Sequence, residues 1–263
     1  MPGEVCNTRH MPMQQIADVI SRLNQIIEET KSAKNRMGYF AALYKRMTVA
    51  VDNGITQDVF EDGNRMNRLD VVFAQRYIDA YEAYNANNPC SKAWRCVFDS
   101  CKDDDLTVIQ HLVLGVNTHI NLDLAIAAAE VSKTGSIDAL QNDFNKINDV
   151  ITSLVDDVQE CLCQVWLPMR VLGKIAAGRQ EAVLNFSIDK ARSASWANAQ
   201  LLWGMDTQQQ QYYIQQMDNT VCTLANGIKS PGMMTNLLLK GIRATEYDDI
   251  AHTIHLIDTT VVG

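Results

Sequence analysis

The sequence predicts an all-α protein: one bundle of roughly eight to eleven helices around a buried helix at about 106–131. Three observations carry this. Apolar residues recur at three- and four-residue spacing along the chain, and no run alternates as a strand would. Prolines number only five, and those at 89, 168 and 231 fall near helix boundaries. No period of about 20–50 residues recurs, which sets aside a helical solenoid.

The helices can be taken in order. Residues 13–30 carry Ile16, Val19, Ile20, Leu23, Ile26 and Ile27 on one stripe. Residues 39–51 repeat it with Phe40, Leu43, Tyr44 and Met47, and Asn53-Gly54 stops them. A third helix spans 66–84 and ends in the polar run before Pro89, and a short fourth covers 91–101. Asp103, Asp104 and Asp105 then put negative charge where the next helix begins, which its dipole favours. Ser136 opens a long helix to about 165, with Ile137, Leu140, Phe144 and Ile147 on its stripe. A short helix at 167–177 closes on Gly178, and 179–203 and 206–224 read as an antiparallel pair joined at Gly204. Two short helices finish the chain between 233 and 258. The whole of 1–263 reads as one domain, with a flexible N-terminus at 1–12.

The helix at 106–131, LTVIQHLVLGVNTHINLDLAIAAAEV, differs from the others. At about 100° per residue, His111, Asn117, His119, Asn121 and Asp123 spread over more than half its circumference, with aliphatic residues between them. A surface helix gathers its polar groups on one face. This one is expected to be walled in, its imidazoles, amides and carboxylate pointing inwards. Burying an unpaired amide costs roughly 2–7 kcal/mol on transfer scales. Such a cluster persists when it is hydrogen-bonded or binds something.

Composition excludes several function classes. Net charge is −8 and pI about 5.1, with no basic stripe, which argues against nucleic acid. The start of the chain lacks the apolar core of a secretory signal. Two His, two Asn and one Asp make the 106–131 stretch costly to insert as a membrane span. Seven cysteines show no C-x-x-C pair or zinc-finger spacing and read as reduced thiols of a cytoplasmic protein.

The candidate site grows from these residues. His119 and Asp123 lie one turn apart, so the carboxylate can orient the imidazole or share a metal with it. His111, two turns earlier and rotated by about 80°, is expected to face the same cavity. Asn117 and Asn121 form a second i,i+4 pair that would hold substrate oxygen or the imidazoles. On the third helix, LDVVFAQRYIDAYEAY puts Asp70, Tyr77 and Tyr81 on one stripe, with Arg76 beside it. A phenol can donate a proton, and Arg can hold a carboxylate bidentately or pair with a helix carboxylate. Trp94 would wall the pocket. His252 and His255 fit a surface role near a mobile C-terminus.

Four blocks, LDVVFAQRYIDAY, QHLVLGVNTHINLDLAIA, DFNKINDVI and ARSASWANAQLL, occur here in the order in which they resemble a bacterial domain-of-unknown-function family. The central motif of that family is similar to QHLLLGMNAHINLDL, and the resemblance covers about residues 40–202. Val116 and Thr118 depart from it, as does Gln75. The resemblance implies an all-helical domain with signature residues Asp70, Arg76, Tyr77, His111, Asn117, His119, Asn121 and Asp123. It implies no reaction.

The expected function is an enzyme of small-molecule metabolism, of cyclase, isomerase or lyase type, acting on a largely apolar substrate. His111, His119, Asp123 and Tyr77 would carry acid–base chemistry, and Asp70, Arg76, Asn117, Asn121 and Trp94 would bind substrate. No cofactor is required by the sequence. A divalent metal would fall to His111, His119 and Asp123, in a hydrolase or oxygenase, although no H-E-x-x-H is present. A non-catalytic carrier or sensor of a hydrophobic ligand is the third reading.

Overall fold

A computed structural model describes residues 13–150 and 188–259, and these contain helices and no strand. Helix α1 (Ile16–Ser32) buries Ile16, Val19, Leu23, Ile26 and Ile27, the stripe expected from spacing. Helix α2 (Met37–Thr56) packs along it. Gly38 is required at that contact, because a Cβ there would run into Thr30 and Ile254. Helix α3 (Gly63–Asn85) begins where the buried carboxylate of Asp143 accepts the N–H groups of Glu61 and Asp62 and pairs with Arg65 at 2.6 Å. Helix α4 (Lys92–Ser100) is capped by Ser91.

The central helix runs unbroken from Val108 to Val131 in three parts: α5 (Val108–Thr118), a π-helical segment (His119–Leu124) and α6 (Ala125–Val131). Its start differs from expectation. Thr107 and Gln110 form a reciprocal capping box, and the Glu246 carboxylate accepts the Val108 N–H at 3.0 Å. Asp104 instead pairs with Arg36 at 2.7 Å. The side-chain cap and a carboxylate from far along the chain satisfy the free amides more directly than a preceding acidic run could. This helix is long and apolar enough to cross a membrane, and 78% of its most apolar window is buried against its neighbours.

A 3-10 turn (Ile137–Leu140) precedes helical residues 141–150. Helix α7 (Ile188–Trp203) ties back to them through the buried Arg192, which donates to Asn148 and to the Phe144 carbonyl. Helix α8 (Thr207–Lys229) opens on an Asp206–Gln209 capping box. The expected antiparallel pairing of these two helices is confined to the region near the corner at Gly204, where Tyr213 Oη donates to Asn198 Oδ1 at 2.8 Å. From there, α7 packs on α6 and the π segment while α8 packs on α4, α5 and the π segment. The central helix offers apolar surface on opposite sides, and each takes one. Helix α9 (Met233–Arg243) leads to α10 (Ile250–Thr259). The C-terminal helix is docked: Thr253, Ile254 and Ile257 are buried against α1 and α2, while His252 and His255 face outwards. The readings made for 1–12, for 151–177 and for the start of the 179–203 helix lie outside the described residues.

Buried side chains form two apolar clusters. One gathers α1, α2, the later turns of α3, α4, α5 and α10, and the other gathers the π segment, α6, α7, the start of α3 and part of α8. Phe73 and Val116 touch both. The π segment lies at that seam.

Candidate functional site

The site begins with a helical irregularity. π-helical turns are rare, and they often mark functional sites because the widened turn costs backbone hydrogen-bond geometry. Here the turn is HINLDL, and it carries His119 and Asp123, both almost fully buried at 3% and 1% exposure. In so wide a turn the residue four positions on has come nearly full circle, so the two side chains meet. His119 Nδ1 lies 3.0 Å from Asp123 Oδ2.

Asp123 has further partners. Trp94 Nε1 on α4 donates to Oδ2 at 2.8 Å, and Arg76 Nε on α3 donates to Oδ1 at 3.2 Å. Three donors from three helices fix a buried carboxylate that would otherwise be costly. Burial pushes the His119 pKa below the usual histidine value, with Asp123 opposing that shift. The imidazole is therefore neutral at pH 7. With Nδ1–H donated to Asp123, Nε2 carries a lone pair. That atom is buried and has no hydrogen-bond partner among the described residues.

The imidazole sits in an aromatic enclosure. Phe73 stacks on one face at 3.6 Å between centroids, and Tyr44 meets it edge-on at 4.4 Å. Phe40, Trp94 and Tyr77 complete the wall at 5.7, 6.0 and 6.1 Å. Phe40 reaches in because residue 115 is glycine: a Cβ there would fall well inside 3.0 Å of its ring. The Tyr77 hydroxyl and Asp70 Oδ2 are also buried without partners among the described residues. Burial raises the Asp70 pKa to about 8, with a smaller push from Asp52, so it holds a proton at neutral pH. Burial also holds the Tyr44 and Tyr77 phenols well above the usual tyrosine value, and the Asp70 charge adds to this at Tyr44.

The expected site residues are thus partly brought together. His119, Asp123, Trp94, Arg76 and Tyr77 share one cluster, with Asp70 acting on Tyr44 at its edge. Trp94 and Arg76, expected to bind substrate, bond to Asp123 instead. His111 is elsewhere, about 12 Å along the helix axis by residue rise. It is near Tyr39 and lines a small cavity with Arg36, Arg243 and Glu246. Burial and the two arginines push its pKa down to about 3. The cavity expected to join His111 to His119 is therefore replaced by two separate surroundings. Eight residues of helix carry the two rings to different neighbours. Asn117 turns the other way, donating to the Val221 carbonyl of α8 at 3.3 Å, and Asn121 donates to the Asn117 side chain and carbonyl. Asn117 ties the central helix to α8 and Asn121 braces Asn117, so neither amide holds an imidazole.

The metal set of His111, His119 and Asp123 does not fit. His119 Nδ1 and both Asp123 oxygens are engaged, His111 is remote, and no group of three or more His, Cys, Asp or Glu among the described residues is placed to hold an ion. Sequence reasoning missed Tyr44 and Phe73, which read as core stripe residues. The only signal for them is their i,i+4 relation to Phe40 and Tyr77 on helices that face the same neighbour.

No curated protein and no solved structure matches the chain. A family match spans Ile16 to Pro231, taking in α1 to α8 and every residue of the His119 cluster. The enclosure built on the π segment is thus described within the matched region, and the chain belongs to this family of unknown function (DUF5995).

Proposed function

We propose that the protein is an enzyme that rearranges a small, largely apolar molecule by proton transfer, with His119 Nε2 as base. The observation that carries this reading is the bare, buried Nε2 opposite a tethered Nδ1. Buried ring nitrogens are usually satisfied, and His119 differs from His111, whose two nitrogens are also bare among the described residues, in having a carboxylate that orients its ring. Asp123 orients the ring and offsets the charge of the imidazolium when Nε2 takes a proton. Asp70 holds the proton that is returned to the substrate, and Tyr44 neighbours both Asp70 and His119. The Tyr77 hydroxyl is free to donate to a substrate oxygen. Aromatic walls select an apolar body and exclude water. Phe73 and Arg76, the partly exposed members of the cluster, form the way in.

Loss of a proton at one carbon and gain at another is an isomerisation, balanced without any further reactant. A carrier would use the same aromatic lining but would leave the oriented dyad without a task. The test is incubation of the protein in D2O with a small-molecule extract of its source cells, read by mass spectrometry. Compounds that gain deuterium or shift to an isomer with wild type, but not with His119→Gln or Asp70→Asn, support the reading. Equal conversion by His119→Gln, or no compound changed by wild type, overturns it.

A further inference from the structure

A second chemical feature lies on the outer side of α4, away from His119. Residues 218, 222 and 226 recur every four positions along α8 and so share one face. Both flanking members of that face contact α4. Asp218 accepts the Lys92 and Ala93 N–H groups, each at 2.8 Å, at the start of α4. One turn on, Asn226 Oδ1 lies 3.9 Å from Cys96 Sγ. Cys222 sits between these two contacts, on the face of α8 that meets Cys96 of α4, and the two thiols influence each other electrostatically. Lys92 Nζ also bonds to Asn219 at 2.8 Å, closing the same seam. Both cysteines are partly exposed, whereas Cys101 is buried.

We propose that Cys96 and Cys222 form a reversible dithiol–disulfide pair that staples α4 to α8. The two cysteines lie on facing sides of two directly packed helices, the placement that a bond of about 2.0 Å between their sulfurs requires. The oxidant is a low-molecular-weight disulfide. One protein thiolate attacks it to form a mixed disulfide and releases one small thiol. The second protein thiolate then displaces the other small thiol. The two cysteines lose two protons and two electrons, and the small disulfide becomes two thiols. Burial, the neighbouring thiol and Asp218 hold Cys222 in its protonated form, with Lys229 opposing, so exchange quickens as pH rises.

The staple has a consequence for the interior. Trp94, two residues before Cys96, donates its indole N–H to Asp123. Oxidation fixes the helix that carries this donor, and reduction frees it.

The test uses the full chain and oxidised glutathione as the probe, with cysteines mapped by peptide mass spectrometry beside thermal melting. The expected result is a Cys96–Cys222 cross-linked peptide and a Tm several degrees higher, both reversed by dithiothreitol. Closing so long a loop constrains the unfolded chain, which is the source of the Tm gain. Cys222→Ser should instead retain glutathione on Cys96, with no cross-link and no Tm gain. Cys90→Ser should behave as wild type. Stable glutathione adducts on both cysteines of wild type would overturn the proposal. So would unreacted thiols at 96 and 222, or a cross-link in which Cys90 replaces either.

Discussion

Phe73 lies flat on His119, with centroids 3.6 Å apart and planes 11° from parallel. Phe73 is partly exposed and His119 is buried, so Phe73 covers one imidazole face on a side that reaches solvent. Phe73→Ala should therefore open a path to Nε2. Diethyl pyrocarbonate should modify His119 readily in this variant and slowly in wild type, as read by peptide mapping. The stability cost should be about 2 kcal/mol, below the roughly 3–5 kcal/mol of a fully buried phenylalanine. Equal modification rates in the two proteins would place the entrance elsewhere.

Trp94→Phe keeps the aromatic packing and deletes the N–H that Asp123 Oδ2 accepts at 2.8 Å. Hydrogen bonds to charged groups contribute about 1.5–3 kcal/mol, so urea denaturation should show a loss in that range. Arg76→Gln should cost less, because that side chain is 31% exposed and water can replace it.

The pH dependence has two arms. Asp70 has a folded pKa raised to about 8, so the folded state holds a proton that the unfolded state releases above about 4. Its contribution is fully present below the unfolded pKa and is lost as pH rises towards 8. His119 and His111 have lowered folded pKa values, so the stability they contribute is present above about 6.5 and lost as pH falls below it. Asp70→Asn should flatten the alkaline arm and stabilise the protein at pH 8 by an amount on the order of a few kcal/mol. It should leave the acid arm in place. Melting curves from pH 5 to 9 would show whether the two arms separate in this way.

Glycines at two positions should respond oppositely to alanine. Gly115→Ala drives a Cβ into Phe40, a wall of the His119 enclosure, and should cost about 1–3 kcal/mol. Gly227→Ala, within α8 and with open space around it, should gain about 0.5–1 kcal/mol from helix propensity.

Asn117→Ala removes the donor that ties α5 to the Val221 carbonyl and leaves buried groups unpaired, at about 1–3 kcal/mol. Asn121 is partly exposed and, among the described residues, bonds only to Asn117, so Asn121→Ala should cost under about 1 kcal/mol. Under the proposed function, neither variant should change conversion per folded molecule. A fall in conversion for Asn117→Ala would return the amide to the chemistry.

The amino-acid sequence determined the helices and the identity of the central one. Periodic Ile, Leu and Val in 16–32 and the mixed polar–apolar circumference of 106–131 are local patterns, and local patterns decide what a helix buries. The His119–Asp123 pair was legible for the same reason: four residues on one helix are neighbours wherever that helix packs. Tertiary structure alone decided who joins them. Trp94 and Arg76 meet Asp123 from α4 and α3, and Tyr44 and Phe73 enclose the ring from α2 and α3, through contacts between residues dozens of positions apart. The separation of His111 from His119 has the same origin, because side chains on a walled-in helix take their surroundings from whichever neighbour packs at that level. The divergence of α7 and α8 at Gly204 follows likewise, since the stripe of a helix specifies that it must be covered and leaves the choice of cover to the fold.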